Sequence, residues 1–371
     1  MATYPLKVVK RHQETSDTAS LWFDVPADLK TAFAYKTGQF LTIEEDIAGE
    51  TVARQYSLAS VPDLDDRLQI TVKKIPGGRM STWLVDEVRE GDVLEVASPR
   101  GRLYIPAGES RHYLLLAAGS GIVPLLAIGR QVTSEQAGHR VTLAYGNRTP
   151  DSIILNAEVD ALVPAGATVE HVLSRPPRGW AGRAGHVDPA YLADRWTGFS
   201  SRTDHGDSAA SALPLSVFIC GPESFMSAAE EFLTERGVPL DDIRKESFDL
   251  VLNDDDGEPD VLVPAEPADG DAEPVPCTLL TAVVGGERIE VTPEPGEPLL
   301  TALLRVSDDV PFSCQEGTCS SCLVKLREGQ VGIRPGVLKT LHQSDLDEGI
   351  ILACLSRART ASVDIDFDDI F

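Results

Sequence analysis

The sequence predicts three folded units in a row: an antiparallel β-barrel, an α/β domain with a doubly wound parallel sheet, and a smaller C-terminal unit. Three observations predict this order. Short strand-like runs fill residues 1–107, strands alternate with helices over 108–250, and acids and prolines dominate 251–276. A length of 371 residues by itself suggests two or three domains. The C-terminal unit then covers residues 277–371.

The first unit consists of apolar or β-branched runs separated by turn signals such as Tyr35-Lys36-Thr37-Gly38. Runs of this length and spacing are typical of an antiparallel barrel or sandwich. The predicted strands are Leu6–Val9, Thr18–Phe23, Phe40–Ile43, Gln55–Ala59, Leu68–Lys73 and Val93–Val96.

The second unit alternates strands with helices from Arg111 onward, which predicts a mainly parallel sheet. The predicted strands are Tyr113–Ala117, Val141–Tyr145, Thr168–Leu173 and Leu215–Cys220, and the predicted helices are Leu125–Gln131, Asn156–Leu162 and Glu223–Arg236. The segment Thr197–Pro214 is rich in Ser, Ala and Asp without periodicity, so we expect an irregular insertion there.

The segment from Asn253 to Pro276 holds nine acidic residues, no basic residue and five prolines. Self-repelling charge and fixed proline φ angles predict an extended linker over 251–276 that has no core of its own. The whole chain is acidic, with a formal net charge of -25. This charge argues against binding to nucleic acid or to an anionic membrane surface, and it favours a protein partner with a basic docking patch.

No stretch of the sequence is apolar enough to predict a membrane span, because Gly119, Gly121 and Pro124 interrupt the nearest candidate. Residues Met1–Ser16 lack the apolar core of a secretory signal. We therefore expect a cytoplasmic protein. In that reducing compartment, clustered cysteines indicate metal or redox chemistry before disulfides.

Four of the six cysteines have the spacing C-x4-C-x2-C…C, formed by Cys314, Cys319, Cys322 and Cys354. This is the plant-type spacing for a [2Fe–2S] cluster, which needs three thiolates from one tight loop and a fourth from a distant strand. A zinc site is the alternative, but zinc sites usually take paired C-x2-C units and only one is present. We predict that Cys277 is an ordinary thiol.

The residues around these cysteines resemble plant-type ferredoxins, including Leu323–Gly329 and Gly349–Cys354. The resemblance implies an α+β, β-grasp ferredoxin fold over 277–371. One departure is Ser320, at a position where the family usually has glycine, which puts local hydrogen bonding to the cluster in doubt.

Two stretches of the first unit have the chemistry that a flavin needs, namely an aromatic wall and donors for phosphate. They are Arg54-Gln55-Tyr56-Ser57 and the glycine-rich turn Gly77–Thr82. Together they resemble the ferredoxin–NADP reductase superfamily, and by that resemblance they bind FAD, with FMN as the less favoured flavin. The residues implied to contact it are Arg54, Gln55, Tyr56, Ser57, Val72, Lys73, Gly78, Arg79, Met80 and Ser81. The alternative is an ordinary strand with a half-buried tyrosine.

The second unit carries a predicted nicotinamide site at Gly119-Ser120-Gly121, where a strand ends and a helix containing Pro124 begins. Glycines allow a tight turn, and the helix N-terminus favours the negative charge of a pyrophosphate. By the same resemblance, Cys220-Gly221-Pro222 lies beside the nicotinamide and Phe248 covers the flavin ring. The alternative for Cys220 and Phe248 is a place in the core. The residues implied to be catalytic are Tyr56, Ser57, Cys220 and Phe248.

Either Arg148 or Arg175, next to Ser174, could bind the 2′-phosphate of NADPH, and either could be a surface arginine instead. NADPH is therefore slightly favoured over NADH.

The order of the three units resembles the reductase components of multicomponent oxygenases. This resemblance implies an enzyme that takes hydride from NAD(P)H to FAD and passes single electrons through the [2Fe–2S] cluster to a separate oxygenase or hydroxylase. Two alternatives remain open at this point. One is an iron–sulfur redox sensor with incidental turnover, and the other is a plain flavin diaphorase that has no working cluster.

Overall fold

The structure is a computed structural model that describes residues 3–49, 51–101, 103, 105, 108–135, 138–200, 213–246, 261–264, 277–307, 310–312, 317, 321–333, 341 and 343–369. The chain divides into two compact units, one over residues 3–248 and the other over the C-terminal residues from 249 onward. No helix among the described residues combines the length and the apolar character that crossing a membrane requires.

The first part of the N-terminal unit is a six-stranded antiparallel sheet with the strand order β4-β3-β6-β1-β2-β5. An antiparallel bridge between Leu58 and Ile70 joins the end of β4 to β5, so the two outer strands meet and the sheet closes into a barrel. This confirms the predicted barrel. Its strands are β1 (Thr3–Thr15), β2 (Thr18–Asp24), β3 (Phe40–Asp46), β4 (Thr51–Ser57), β5 (Leu68–Lys73) and β6 (Val93–Arg100).

A helix that the sequence analysis did not predict, α1 (Arg79–Asp86), follows the glycine-rich turn. Met80, Leu84 and Val85 lie on its buried side and pack into the barrel core. Three buried apolar positions within eight residues are too few for periodicity to reveal a helix. The predicted turn therefore ends at Gly78, and the backbone N–H groups that follow it belong to a helix N-terminus.

The second part of the N-terminal unit is a sheet of six parallel strands with the order β10-β9-β8-β7-β11-β12. This confirms the predicted parallel sheet, although its strands β10 and β12 were not predicted. Its strands are β7 (His112–Ala118), β8 (Arg140–Asn147), β9 (Thr168–Leu173), β10 (Arg183–Ala184), β11 (Leu215–Cys220) and β12 (Ile243–Glu246). Its helices are α2 (Ile122–Ser134), α3 (Asn156–Asp160), α4 (Pro189–Ser200) and α5 (Glu223–Glu235). Separate apolar clusters cover the two faces of the sheet, as a doubly wound fold requires.

Helix α4 corrects the predicted insertion, since its last four residues, Thr197–Ser200, were expected to be irregular. Tyr191, Leu192 and Phe199 of α4 are buried against one face of the parallel sheet. Because the residues after Trp196 are mostly small or polar, the sequence pattern did not indicate that the helix continues to Ser200. The remainder of the predicted insertion, 201–212, lies outside the described residues.

The C-terminal unit contains a mixed five-stranded sheet with the order β15-β14-β20-β16-β18, in which β14 and β20 run parallel, and a separate three-stranded sheet. This arrangement agrees with the predicted α+β ferredoxin fold. Its strands are β13 (Val261–Pro264), β14 (Leu279–Val284), β15 (Glu287–Val291), β16 (Leu323–Glu328), β17 (Gln330–Ile333), β18 (Ile350–Leu352), β19 (Ser356–Ala358) and β20 (Ser362–Asp366). Its helices are α6 (Leu299–Leu304) and α7 (Gln343–Asp347).

Strand β13 differs from the expectation of a linker without secondary structure over 251–276. Val261–Pro264 pairs antiparallel with Gln330–Ile333 of β17, from Val261 opposite Ile333 to Pro264 opposite Gln330. Val-Leu-Val is a favourable strand sequence, and proline is tolerated at the end of an edge strand. Four residues of the predicted linker therefore belong to the C-terminal unit. The predicted domain limits at residues 107, 250 and 276 stay predictions.

Candidate functional site

The parallel sheet has its topological switch point between β7 and β11, because successive connections from there run to opposite edges of the sheet. Ligands of doubly wound sheets bind at the carboxyl ends of the strands at this point. Gly119–Gly121 follow β7 directly, and Gly221 and Pro222 follow β11. The fold therefore brings the two predicted nicotinamide motifs to the same crevice.

The two motifs are in direct contact. A Cβ atom on Gly121 would lie 2.0 Å from the carbonyl oxygen of Cys220, and one on Gly221 would lie 2.9 Å from Cβ of Ala118. Any side chain would therefore push the two turns apart. Gly119 has a φ of 56° and open space where a Cβ would stand, so a ligand can reach its backbone. Pro124 lies in the first turn of α2, as predicted.

The predicted flavin residues lie on β4 and at the start of α1, which pack against each other. Arg54 and Arg79 are exposed, and Gly77 has open space around its Cβ position. The hydroxyl of Ser81 accepts the N–H of Ile75 at 3.3 Å and thereby shapes the glycine turn. Exposed guanidinium groups beside a helix N-terminus fit a pyrophosphate.

The other predicted flavin residues have side chains that are at least partly buried or engaged in contacts. Val72 and Met80 are buried in the barrel core, so only their main chains remain to contact a cofactor. Lys73 lies 3.9 Å from the carboxylate of Asp17. Tyr56 is half-buried against the core, and burial raises the pKa of its hydroxyl, so the hydroxyl stays protonated. Gln55 is half-buried.

Ser57, Cys220 and Glu246 form a junction between the barrel and the parallel sheet. The hydroxyl of Ser57 donates to a carboxylate oxygen of Glu246 at 2.7 Å. Cys220 and Glu246 are partners on the neighbouring strands β11 and β12. Ser57 and Cys220 are both buried, and burial raises the pKa of the Cys220 thiol well above its usual value, so it stays protonated. The carboxyl group of Glu246 thus contacts Ser57, a predicted flavin residue, and the backbone of Glu246 pairs with that of Cys220, a predicted nicotinamide residue.

Burial raises the pKa of Glu246 from 4.5 to about 7, although the hydrogen bond from Ser57 lowers it. Desolvation penalises the charged carboxylate more than this one hydroxyl compensates. Glu246 can therefore hold or release a proton near neutral pH.

We expect the substitution Glu246→Gln to raise the melting temperature relative to wild type progressively as pH increases from about 5 to about 8. The folded-state pKa lies above that of the unfolded chain. The neutral carboxyl therefore contributes stability that is complete below its unfolded pKa and is lost as pH rises through about 7. Glutamine is neutral throughout. Asp86→Asn, at an exposed carboxylate paired with Lys74, is the control. A Glu246→Gln difference that does not change with pH would contradict the assignment.

The predicted ribose-binding residues follow β8 and β9, whose carboxyl ends are adjacent. The N–H of Ser174 donates to the carbonyl of Asn147 at 2.9 Å, and the N–H of Arg175 donates to that of Arg148 at 2.8 Å. The side chains of Arg148 and Arg175 are exposed. The fold therefore places both guanidinium-bearing positions at one edge of the crevice, where either can reach a phosphate.

Two of the four predicted cluster ligands lie within the described residues, and they are neighbours. Cys322 and Cys354 are 1% and 6% exposed, and the N–H of Ala353 donates to the carbonyl of Cys322 at 3.0 Å. Both thiols are free of disulfides. Gly317 has a φ of 76°, which suits the tight turn that a three-cysteine loop needs. Buried cysteines brought close together by their backbones fit a [2Fe–2S] cluster. Cys314, Cys319 and Phe248 lie outside the described residues.

Three segments of the chain match known protein domain families. The chain matches the Oxidoreductase FAD-binding domain over residues 5–105, the Oxidoreductase NAD-binding domain over 115–231 and the 2Fe-2S iron-sulfur cluster binding domain over 282–359. It is 35% identical to the ferredoxin reductase component of 3-ketosteroid-9-alpha-monooxygenase of Mycolicibacterium smegmatis over 369 residues, covering 98% of this chain and 97% of the relative. The chain belongs to the family of oxygenase ferredoxin reductase components.

Other relatives have the same extent. One of the subunits of the 1,2-phenylacetyl-CoA epoxidase of Escherichia coli is 30% identical, with 98% of each chain covered. The solved structure of phthalate dioxygenase reductase shares the fold with a TM-score of 0.55 at 23% identity, again over 98% of both chains. The oxidoreductase class, the three domains and the FAD and 2Fe-2S prediction are thereby confirmed. Membership of a reductase family supports electron transfer over the sensor and the diaphorase.

Three residues that contact the predicted site motifs or the loops beside them were not predicted from the sequence. The first is Glu246, which lies two residues before the predicted Phe248, and its contact with Ser57 spans 189 positions. Arg130 of α2 forms a bidentate ion pair with Asp65 at 2.8 and 2.9 Å. This pair connects α2, the helix after the predicted nicotinamide turn, to the loop between β4 and β5. The third residue is Tyr145, which precedes Gly146. No sequence signal marks the Arg130–Asp65 pair.

Proposed function

We propose that this chain moves electrons from NAD(P)H to a separate oxygenase and that hydride is transferred at the junction of Ser57, Cys220 and Glu246. The observation that carries the proposal is the hydrogen bond from Ser57 to Glu246. It joins the strand with the predicted flavin motif to the strand beside the predicted nicotinamide motif. A hydride can pass only where both rings meet, and this junction is where the two motifs meet.

The cofactors supply the redox chemistry when bound: FAD accepts a hydride from NAD(P)H, and the cluster carries one electron at a time. The protein residues bind and orient these groups. The turn Gly119–Gly121 presents backbone N–H groups to the nucleotide, and Gly221 and Pro222 limit where the nicotinamide can lie. Glu246 orients the hydroxyl of Ser57 and offers a group that titrates near neutral pH.

On the flavin side, Tyr56 flanks the ring, while Arg54 and the α1 N-terminus hold its phosphates. The match to an FAD-binding domain supports FAD over FMN. On the cluster side, Cys314, Cys319, Cys322 and Cys354 are the proposed ligands. Phe248, which follows the Glu246 strand by two residues, remains the proposed cover of the flavin ring.

The proposed acceptor is an oxygenase or hydroxylase component with a basic docking patch. The formal net charge of -25 supports it, because opposite charge on a partner accelerates encounter. A cytoplasmic location is proposed as well, and the cluster spacing of Cys314, Cys319, Cys322 and Cys354 supports it, because such clusters suit a reducing compartment. Raising the salt concentration should slow reduction of a basic acceptor such as cytochrome c more than reduction of ferricyanide.

The deciding experiment is an anaerobic titration of the purified protein with NADPH and then NADH, followed by visible absorbance. Flavin and iron–sulfur bands that both bleach within the turnover time support the proposal. A cluster that is present but is not bleached by either nucleotide would refute the reductase function and favour the sensor.

We expect the substitution Arg175→Ala to raise the KM for NADPH about tenfold or more and to change the KM for NADH less than about twofold. A guanidinium–phosphate hydrogen bond contributes roughly 1.5–3 kcal/mol, and only NADPH has the 2′-phosphate. Steady-state kinetics with ferricyanide measure both constants. Arg67→Ala, at an exposed ion pair with Asp24, is the control. Equal changes for both nucleotides would show that Arg175 does not recognise the 2′-phosphate.

A further inference from the structure

Tyr145 is a buried residue of β8 that lies directly beneath the turn Gly119–Gly121. Its side chain is 0% exposed and packs in the apolar cluster on one face of the parallel sheet. Its hydroxyl lies 3.1 Å from the carbonyl oxygen of Gly119 and 3.3 Å from that of Ile154, and it can donate its single proton to either. The carbonyl of Gly119 also accepts the N–H of Ile122, the first residue of helix α2. The hydroxyl of Tyr145 therefore contacts the backbone where the turn Gly119–Gly121 ends and helix α2 begins.

The hydroxyl of Tyr145 also holds a second backbone segment. It accepts the N–H of Ile154 at 3.2 Å. The next residue, Leu155, has a φ of 53°, a left-handed conformation that costs energy for a residue with a branched side chain. The backbone of Leu155 lies close enough to the Glu14 carboxyl of the barrel to lower the pKa of that group, although burial raises this pKa overall. Hydrogen bonds of the Tyr145 hydroxyl thus connect Ile154 with Gly119.

These contacts affect nucleotide binding because the turn Gly119–Gly121 can bind a pyrophosphate only if its backbone N–H groups all point toward it. Gly119 has no side-chain packing of its own, and open space surrounds its Cβ position. Gly121 is held from the other side, by close contact with Cys220. The Tyr145 hydroxyl is thus the side-chain group that fixes the carbonyl of Gly119 among the described residues.

We propose that Tyr145 is a positioning residue for nucleotide binding, and that its hydroxyl keeps the turn Gly119–Gly121 in the conformation that accepts NAD(P)H. The proposal rests on the assignment of this turn as the nucleotide site. Tyr145 does not touch the nucleotide and acts through the carbonyl of Gly119. It therefore affects binding more than the chemical step.

The test compares Tyr145→Phe with Tyr113→Phe, which is a closely matched control. Tyr113 lies on the neighbouring strand β7, is equally buried in the same apolar cluster, and its hydroxyl makes no hydrogen bond within the described part of the chain. We expect Tyr145→Phe to raise the KM for NADPH and NADH about three- to tenfold, which corresponds to loss of the hydrogen bond that supports the turn at Gly119, and to keep kcat within about twofold. Tyr113→Phe should leave both KM values within about 1.5-fold.

Ferricyanide is the acceptor in these assays, so that the cluster is not needed. Titration with NADP⁺, followed by the flavin absorbance, measures binding directly, because KM equals the dissociation constant only when chemistry is slow. An unchanged KM together with a lowered melting temperature would overturn the proposal, since a purely structural role has that result. An equal rise in KM for both variants would overturn it too.

Hydrogen–deuterium exchange of residues 117–124 separates failure of the proposal from failure of the site assignment. If NADPH does not slow exchange there in the wild type, the turn is not the nucleotide site and the assignment itself is wrong. If NADPH protects the turn in the wild type, the Tyr145→Phe variant should show faster exchange of these amides without nucleotide, and Tyr113→Phe should not. Equal exchange in all three proteins would refute the positioning role even if a variant is too unstable for kinetics.

Discussion

Replacing Cys354 with serine should abolish electron transfer to cytochrome c while the flavin remains reducible by NAD(P)H. Cys354 is 6% exposed and lies beside Cys322 in a region that matches a 2Fe-2S binding domain. Replacing a residue that hydrogen-bonds to a metal ligand already weakens metal binding by roughly 10- to 100-fold. Loss of the ligand itself should therefore lower cytochrome c reduction at least about 100-fold. Ferricyanide reduction should remain within about twofold.

Three measurements check this prediction: iron content, the iron–sulfur absorbance and the two acceptor assays. Cys277→Ser is the control, since Cys277 is half-buried and its thiol donates only to the carbonyl of Leu279 at 3.4 Å. That variant should keep its iron and both activities. A Cys354→Ser protein with full iron content would show that Cys354 is not a ligand, and a loss of both activities would indicate a folding defect instead.

The substitution Ser57→Ala should slow reduction of the flavin by NAD(P)H about 10- to 100-fold, because misplacing reacting groups by about 1 Å already costs up to a hundredfold in rate. The variant removes the hydrogen bond to Glu246 and leaves that carboxyl without its partner at the junction. Stopped-flow absorbance under anaerobic conditions measures the rate. We expect the effect in the rate of reduction rather than in nucleotide affinity.

Ser216→Ala is the matched control for Ser57→Ala. Ser216 is also buried, and its hydroxyl makes no hydrogen bond to any described residue. It lies near the amino end of β11, whereas Cys220 ends that strand at the junction. Reduction rates that are equal in wild type and Ser57→Ala would exclude a role of this hydroxyl in hydride transfer.

Most of the fold could be predicted because it depends on local patterns. The six strands of the barrel and the four main strands of the parallel sheet have apolar runs between turn signals. Helix α1 could not be predicted, because it has only eight residues and its stability depends on packing of its apolar side against the barrel core. Strand β13 could not be predicted either, because its partner β17 lies almost 70 residues further along the chain.

The sequence by itself determined the chemistry that the protein can hold. The cluster motif and the glycine-rich turns can be read directly from the sequence without a structure. The cluster motif is the spacing of Cys314, Cys319, Cys322 and Cys354. Such motifs are local because a cluster loop or a phosphate-binding turn is built from consecutive residues.

Only the tertiary structure decided which of these groups meet. It joined Ser57 to Glu246, tied Arg130 to Asp65 and placed the hydroxyl of Tyr145 under Gly119. The physical reason is that hydrogen bonds and ion pairs act over about 3 Å of space, regardless of sequence separation. Residues far apart in the sequence come within that distance only after the barrel has closed and the parallel sheet has packed.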